Sequence, residues 1–230
     1  MQIETFADPD AVARRTAEVI ADAAREGEHL HGRSVVAFSG GSTPAPMLEQ
    51  LAQMPLKWNA LRVLQVDERV APDGHPDRNW TMITERLLDA VDVPASHQHP
   101  MPVTDDDLDA AAARYARQLT IVAGVPPVAD VVHLGVGADG HTASLVPNDP
   151  VLKIRQQWVA MTGEYQGRRR MTLTYPAINA ARLLVWQVTG ADKAGALREA
   201  LQGRGVPASR IRRHGVHVIA TADAAAQLRN

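Results

Sequence analysis

Residues 34–44 read SVVAFSGGSTP and contain the transition that decides the fold. Ser34 to Phe38 is a short apolar run rich in β-branched residues, which predicts a buried strand. The glycine pair ends the strand, and Pro44 suits the first turn of a helix, with Thr43 as its expected N-cap. The order strand, glycine turn, helix is typical of an α/β protein with a parallel sheet.

The same order of elements recurs along the chain. A first helix is expected to begin at Asp8 or Asp10 and to end near Gly27, and another carries Met82, Ile83, Leu87 and Leu88 at helical spacing. Further helices are predicted at about 106–122 and 192–201, and further strands at 61–66, 131–134, 158–162, 171–174, 183–188 and 216–220. Strands that alternate with helices predict an α/β fold in one domain, residues 1–230, with a largely parallel sheet and helices on both faces.

Composition excludes several classes of protein. Of the 230 residues, 45% are hydrophobic and 22% charged, which argues against disorder, and the net charge of −2 lacks the basic excess that binds nucleic acid. The chain has no cysteine, so disulfides, thiolate metal sites and a cysteine nucleophile are excluded. The amino terminus lacks the basic and apolar regions of a secretory signal, and no apolar run reaches membrane-spanning length. These features predict a cytoplasmic protein with neither nucleic acid nor membrane as a partner.

The loop after Phe38 is the first of three polar loops that we expect at the carboxyl ends of strands, where open α/β sheets bind ligands. Its glycines allow close approach, and backbone N–H groups at a helix N-terminus favour an anion. The candidate anion-binding residues are Ser39, Gly40, Gly41, Ser42 and Thr43. A tight turn with a good N-cap is the structural alternative, and the absence of a following lysine argues against nucleoside triphosphate hydrolysis.

The second polar loop follows Val66. Asp67, Glu68 and Arg69 place two carboxylates and a guanidinium near the glycine turn. Arg69 could bind a phosphate with two parallel hydrogen bonds, or the three residues could form a structural ion-pair cluster. Asn79, further on, is equally suited to cap a helix.

The third polar loop follows Leu134 and reads GVGADGHT, residues 135–142. Its glycines match the dinucleotide fingerprint, but Pro147 and Pro150 leave no room for the required helix, so no such cofactor is expected. His141 and Asp139 are more informative, since an imidazole beside a carboxylate suits general base catalysis near neutral pH. A purely structural histidine is the alternative.

Other charged groups carry weaker signals. The pairs His29/His31 and His97/His99 lack a matching carboxylate set, so no metal is expected. The run Arg168 to Arg170 is either a solvated surface or contains a residue that faces an anionic substrate. Trp158 and Trp186 lie in apolar strands and are expected in the core.

With these segments in view, the chain resembles the 6-phosphogluconolactonase family. The segments that carry the resemblance are 39–44, 67–69 leading to Asn79, 134–145, 170–174 and 190–194. The resemblance implies a modified Rossmann-like fold, similar to that of glucosamine-6-phosphate isomerase. It also implies hydrolysis of 6-phospho-D-glucono-1,5-lactone in the oxidative pentose phosphate pathway, without a cofactor, by a monomer or small homo-oligomer.

The resemblance further implies roles for individual residues. His141 is the expected general base, and either Asp139 or Asp67 orients it. The phosphate is expected at the loop 39–43 with Arg69 and Lys193, and the remaining substrate-binding candidates are Asn79 and Arg170.

Two other functions remain open. Glucosamine-6-phosphate isomerases usually have a glutamate where this chain has Val146 and an aromatic residue where it has Arg69, so an isomerase lacks a proton-transfer group here. A non-catalytic sugar-phosphate sensor would require an idle His141. The chain also departs from the lactonase pattern at Arg78, where serine is usual, and at Val146 and Asn148, where phenylalanine and glycine are common.

Overall fold

The computed structural model describes residues 1–228, and its centre is a six-stranded sheet. The strands along the chain are β1 (Gln2–Phe6), β2 (Ser34–Phe38), β3 (Leu61–Gln65), β4 (Asp67–Arg69), β5 (Val131–Leu134), β6 (Val159–Met161), β7 (Arg170–Leu173), β8 (Leu183–Val188) and β9 (Val216–Thr221). The main sheet has the order β1-β9-β8-β5-β2-β3, and every neighbouring pair is parallel. A second, antiparallel sheet has the order β4-β7-β6.

Six α-helices flank these sheets in the described part of the chain. They are α1 (Pro9–His31), α2 (Pro44–Ala52), α3 (Asn79–Arg86), α4 (Leu108–Ala123), α5 (Tyr175–Ala180) and α6 (Ala194–Gln202). No helix within residues 1–228 is long and apolar enough to cross a membrane.

The main sheet separates two apolar cores. Val36, Phe38 and Val63 pack on one face against the buried sides of α1, α2 and α3. The neighbouring residues Val35 and Ala37 point to the other face, where α4, α5, α6 and the small sheet cover them. This arrangement confirms the predicted fold class, a largely parallel sheet with helices on both faces. The predicted single domain of 1–230 extends two residues beyond the described part of the chain.

The first helix is longer than the sequence predicts. Gly27 was expected to end it, but Gly27 is buried inside α1, where an added Cβ would lie 2.9 Å from the Asp130 carboxyl carbon. The glycine therefore allows the helix to approach that carboxylate closely, and Gly32, with φ of 68°, ends the helix instead. The edge strand β1 was not predicted, since its alternating, largely exposed residues carry little of a buried strand's apolar signal.

The predicted strands at 158–162 and 171–174 are present as β6 and β7, but they do not join the main sheet. They pair antiparallel with each other, and β7 also pairs with β4. Asp67 to Arg69 were expected in the loop at the end of β3, but they form a short separate strand, β4. This small sheet carries Asp67, Arg69 and Arg170 to one edge of the main sheet.

Candidate active site

The strand order reverses between β2 and β5, which are neighbours in the main sheet. The chain continues from β2 to β3 on one side of this pair, whereas β8, the next main-sheet strand after β5, lies on the other side. Such a switch point is where open parallel sheets form a ligand crevice. A cavity of about 460 Å³ lies there. All the predicted site residues except Asp139 line it: Ser39, Gly40, Gly41, Ser42, Thr43, Asp67, Arg69, Asn79, His141, Arg170 and Lys193.

Asp139 lies against His141 in the loop after β5. The Asp139 Oδ1 atom is 2.6 Å from the ring Nδ1 of His141 and also accepts the backbone N–H of His141 at 3.2 Å. Burial alone would raise the pKa of Asp139, but these hydrogen bonds outweigh it and hold the pKa below its ordinary value. A carboxylate at Nδ1 selects the tautomer with its proton there, which leaves Nε2 as the basic nitrogen.

The sequence leaves open whether Asp139 or Asp67 orients His141, and the geometry selects Asp139. Asp67 is buried and accepts a hydrogen bond from the Ser144 hydroxyl at 2.5 Å and one from the Asn79 amide at 3.3 Å. Burial raises the pKa of Asp67. Asp67 faces the cavity from the small sheet. The alternative in which Asp67 orients His141 is not realised, because β4 places Asp67 in a hydrogen-bond network with Ser144 and Asn79.

The glycine loop approaches the rest of the site closely. A Cβ at Gly40 would overlap the Asn79 side chain, and Gly41 has φ of 107°, which favours glycine. Thr43 is the N-cap residue of α2, as expected, but its side chain makes no capping hydrogen bond. Pro46 removes an N–H that a cap would need, and the Thr43 hydroxyl instead lies 3.5 Å from that of Thr189.

Asn79 connects Arg69 to the small sheet. Its amide Nδ2 donates to the Asp67 carbonyl at 2.9 Å, and its Oδ1 accepts from Arg69 Nη1 at 3.1 Å. Arg69 Nη1 also donates to the Asp77 carbonyl at 2.9 Å, so the guanidinium is held at the cavity wall.

The alternative that Asn79 caps a helix is wrong. Asn79 is the first residue of α3, and the buried carboxylate of Glu68 accepts the backbone N–H groups of Asn79 and Trp80 at 2.8 and 2.9 Å. Arg78 is buried with its Nε 2.9 Å from Glu68. Of the two acidic residues after Val66, Glu68 is therefore structural.

Lys193 and Arg170 add two cations to the cavity wall. Lys193 lies in the turn before α6, with its Nζ 2.7 Å from the Asp192 carboxylate. Arg170 is buried, and its Nη2 donates to Gln166 at 3.1 Å. Of the three consecutive arginines, Arg170 faces the cavity, whereas Arg168 pairs with Asp77 at 2.7 Å on the surface.

A buried polar network under the glycine loop was not predicted. His133, in the middle of β5, places Nε2 3.0 Å from the Gln187 amide oxygen, and the Gln187 amide nitrogen donates to the Thr43 carbonyl at 3.0 Å. The Ser39 hydroxyl donates to the His133 carbonyl at 2.9 Å and lies 3.2 Å from Nδ1. Burial lowers the pKa of His133 to about 4, so the ring is neutral at pH 7. Two polar residues inside otherwise apolar strands were the available signal.

Tyr165 is another residue that the sequence did not indicate. It lies in the turn between β6 and β7, and its hydroxyl donates to Asp139 Oδ2 at 3.0 Å. Its ring meets the His141 ring edge-on, with 5.6 Å between the centroids. No sequence spacing could reveal this contact, because 26 residues separate Tyr165 from Asp139.

Neither a dinucleotide nor a metal site is evident in the described residues. The GxGxxG stretch leads into turns and a short 3₁₀ turn at Pro150–Lys153, and no α-helix starts there to bind a pyrophosphate. No group of three or more His, Asp or Glu within residues 1–228 is arranged to hold a metal ion.

The fold and the site together define a Rossmann-like α/β protein with an anion loop and a histidine–carboxylate pair in one cavity. A family model described as glucosamine-6-phosphate isomerases/6-phosphogluconolactonase matches residues 7–220. The chain belongs to this family.

Individual proteins support the same assignment. The chain is 38% identical to a 6-phosphogluconolactonase of Nostoc sp. over 201 residues, which are 86% of this chain and 83% of the relative. It is 41% identical over 172 residues to a 6-phosphogluconolactonase of Synechocystis sp., covering 73% of this chain and 71% of the relative. The solved 6-phosphogluconolactonase of Trypanosoma brucei superposes with a TM-score of 0.86 at 26% identity, covering 99% of this chain and 98% of the other.

Proposed function

We propose that this protein is an enzyme that hydrolyses 6-phospho-D-glucono-1,5-lactone to 6-phospho-D-gluconate, a step of the oxidative pentose phosphate pathway. The observation that carries the proposal is one cavity lined by a glycine anion loop and by a histidine paired with a carboxylate. Relatives named 6-phosphogluconolactonase at 38% and 41% identity support the same reaction.

The cationic part of the cavity suits the 6-phosphate of the substrate. The loop 39–43 lies at the amino end of α2 and supplies backbone N–H groups, and Arg69 and Lys193 line the same space. Arg69 is already fixed by its bonds to Asn79 and Asp77, so little side-chain freedom is lost on binding. We propose that these groups bind the phosphate and thereby place the lactone carbon near His141.

The chemistry follows from the free Nε2 of His141. We propose that Nε2 takes a proton from water as the water oxygen attacks the lactone carbonyl carbon, and Asp139 stabilises the imidazolium that forms. As the tetrahedral intermediate collapses, the bond from C1 to the ring oxygen breaks and the imidazolium returns its proton to that oxygen. The proton is conserved, and the product is the open-chain acid.

General acid–base catalysis is enough for this substrate class. It contributes about 10²–10⁴ in rate, and positioning adds more. Lactones are reactive esters, so the mechanism needs no covalent nucleophile. Ser144 is not part of the GxSxG motif that carries the nucleophile of serine hydrolases, and its hydroxyl donates a hydrogen bond to Asp67.

The isomerase alternative lacks its acid in this chain. Val146 occupies the position of the isomerase glutamate and is buried, and an aliphatic side chain transfers no proton. The sensor alternative would leave the bond between His141 and Asp139 without a use.

The experiment that tests the function follows the decay of freshly generated 6-phosphoglucono-1,5-lactone with and without protein, after subtraction of the spontaneous rate. Unphosphorylated gluconolactone is the control, and acceleration confined to the phosphorylated lactone is the expected result. If the decay is not accelerated, the lactonase function is wrong. Ammonia release from glucosamine 6-phosphate then detects an isomerase, and calorimetric binding of 6-phosphogluconate without turnover detects a sensor.

We propose further that the enzyme acts in the cytoplasm as a monomer or small homo-oligomer on a small sugar phosphate. The absence of cysteine from the sequence suits a reducing compartment. Cell fractionation checks the compartment, and light scattering after size exclusion measures the oligomeric state.

A further inference from the structure

We propose that Tyr165 is a positioning residue that fixes the Asp139 carboxylate and, through it, the ring of His141. The inference rests on the lactonase function proposed above and adds a third member to the catalytic pair. Tyr165 does not need to touch the substrate for this role.

The two oxygens of Asp139 have separate partners. Oδ1 accepts hydrogen bonds from the ring Nδ1–H and the backbone N–H of His141, at 2.6 and 3.2 Å. Oδ2 accepts the Tyr165 hydroxyl at 3.0 Å. With a partner on each oxygen, the carboxylate cannot rotate about its Cβ–Cγ bond without breaking a hydrogen bond. Tyr165 therefore holds Oδ1 in line with Nδ1, which keeps the proton on Nδ1 and Nε2 free.

The exposure of the pair makes this support necessary. The side chains of His141 and Asp139 are 25% and 36% exposed, so water competes for each hydrogen bond. The Tyr165 ring packs edge-on against the imidazole at an interplanar angle of 64° and limits its rotation. Burial and the bond to Asp139 both raise the pKa of Tyr165, so its phenol is protonated and donates at neutral pH.

Tyr165 is itself held by the small sheet. Its backbone N–H donates to the Arg168 carbonyl at 3.0 Å across the turn, and Gly167 has φ of 75°. Arg168 pairs with Asp77 at 2.7 Å, which connects the turn to the loop after β4. The Arg170 guanidinium lies over the Tyr165 ring, 5.1 Å from its centre. The phenol is thus positioned by the same sheet that carries Asp67 and Arg69.

The test compares Tyr165→Phe with Tyr115→Phe. The first variant keeps the aromatic ring and removes the hydroxyl that contacts Asp139. Tyr115 is a matched control, since its hydroxyl also makes one hydrogen bond, to the His99 carbonyl at 2.9 Å, and it lies in the core at α4. We expect Tyr165→Phe to lower kcat for the phosphorylated lactone about tenfold with KM unchanged, and Tyr115→Phe to leave both values unchanged. A packing role for Tyr165 would spare kcat in the Phe variant.

A double-variant cycle tests whether Tyr165 acts through Asp139. In an Asp139→Asn background, Tyr165→Phe is expected to cost less than about threefold, because the hydrogen bond it removes has already been altered. Equal effects of Tyr165→Phe in both backgrounds would overturn the proposal, as would a kcat within about twofold of the unchanged protein.

A second readout needs no turnover. The measurement is the NMR chemical shift of the Nδ1 proton of His141, which is assigned by the loss of its signal in His141→Ala. We expect its chemical shift to move in Tyr165→Phe and to stay in place in Tyr115→Phe. An unchanged shift overturns the proposal even if kcat falls. If the unchanged protein shows no lactonase activity, the proposed function fails, and the NMR result still decides whether Tyr165 positions the His141–Asp139 pair.

Discussion

His133 and His141 line the same cavity, eight residues apart in the chain, in opposite environments. His133 is fully buried, has both ring nitrogens near neutral partners, and has its pKa lowered to about 4 by burial. His141 is partly exposed, has a carboxylate at Nδ1, and makes no side-chain hydrogen bond through Nε2 within residues 1–228. One imidazole is therefore suited to hold a loop and the other to move a proton.

The comparison shows that environment, and not residue type, assigns the roles. A fully buried histidine held between two neutral side chains is suited to ordering its neighbours and not to moving a proton. His133 reaches the Thr43 carbonyl through Gln187, so it supports the anion loop from below. His141 lies on a loop beyond the sheet, where substrate and water have access.

The largest expected effect is that of His141→Ala. Removal of the base should lower kcat by about 10²–10⁴, because no other described group takes the place of Nε2. Folding and phosphate binding should survive, since the side chain is partly exposed and lies apart from the anion loop. Steady-state kinetics gives kcat, and calorimetry with 6-phosphogluconate measures binding. A variant that keeps near-normal turnover would contradict the assigned base.

The stability of the protein at low pH tests the buried environment of His133. Because burial lowers the pKa of His133 from 6.5 to about 4, the unfolded chain binds a proton below pH 6.5 that the folded protein does not. His133 therefore contributes little pH dependence well above pH 6.5, and it lowers the free energy of unfolding progressively as the pH falls toward 4, by about 3 kcal/mol in total.

Urea unfolding at pH 7, 6 and 5 measures this effect in the unchanged protein and in His133→Leu. The variant should lose less stability as the pH falls, and the difference cancels the contribution of other groups such as Asp67. Parallel pH profiles for the two proteins would show that His133 is not buried in the neutral form.

The next largest effect is expected for Arg69→Lys, which tests whether Arg69 binds the phosphate of the substrate. Lysine keeps the charge but cannot donate two parallel hydrogen bonds, and it loses the guanidinium contacts with Asn79 and Asp77. We expect KM for the phosphorylated lactone to rise about tenfold with a small change in kcat. Arg86→Lys is a control, because Arg86 makes an exposed ion pair with Glu49 on α2. A fall in kcat at unchanged KM would instead place Arg69 in the chemical step.

The same contrast explains which features the sequence could predict. The glycine loop and the Asp139–His141 pair are local in the chain, so their residue types and spacing were enough to indicate them. The choice of Asp139 over Asp67 depends on β4 pairing with β7, which joins segments about 100 residues apart. Tyr165 contacts Asp139 across 26 residues of chain, and Gln187 contacts Thr43 across 144. Gly27 was wrongly predicted to end the helix because the group that excludes a side chain there is Asp130, which is far away in sequence. Packing between segments that are distant in sequence decides these contacts, so local sequence patterns do not predict them.

The smallest expected effect is that of His133→Leu on catalysis, and it is the sharpest test of the comparison. Leucine fits an apolar strand but leaves the Gln187 amide oxygen without its donor, so Gln187 holds the Thr43 carbonyl less firmly. We expect KM for the phosphorylated lactone to rise about threefold to fivefold, with kcat close to normal, the reverse of the pattern for His141→Ala. Gln187→Leu should reproduce the change, and the double variant should add little, because both act through one chain of hydrogen bonds. A loss of kcat in His133→Leu comparable with that in His141→Ala would end the division of roles, since it would make His133 part of the proton-transfer path.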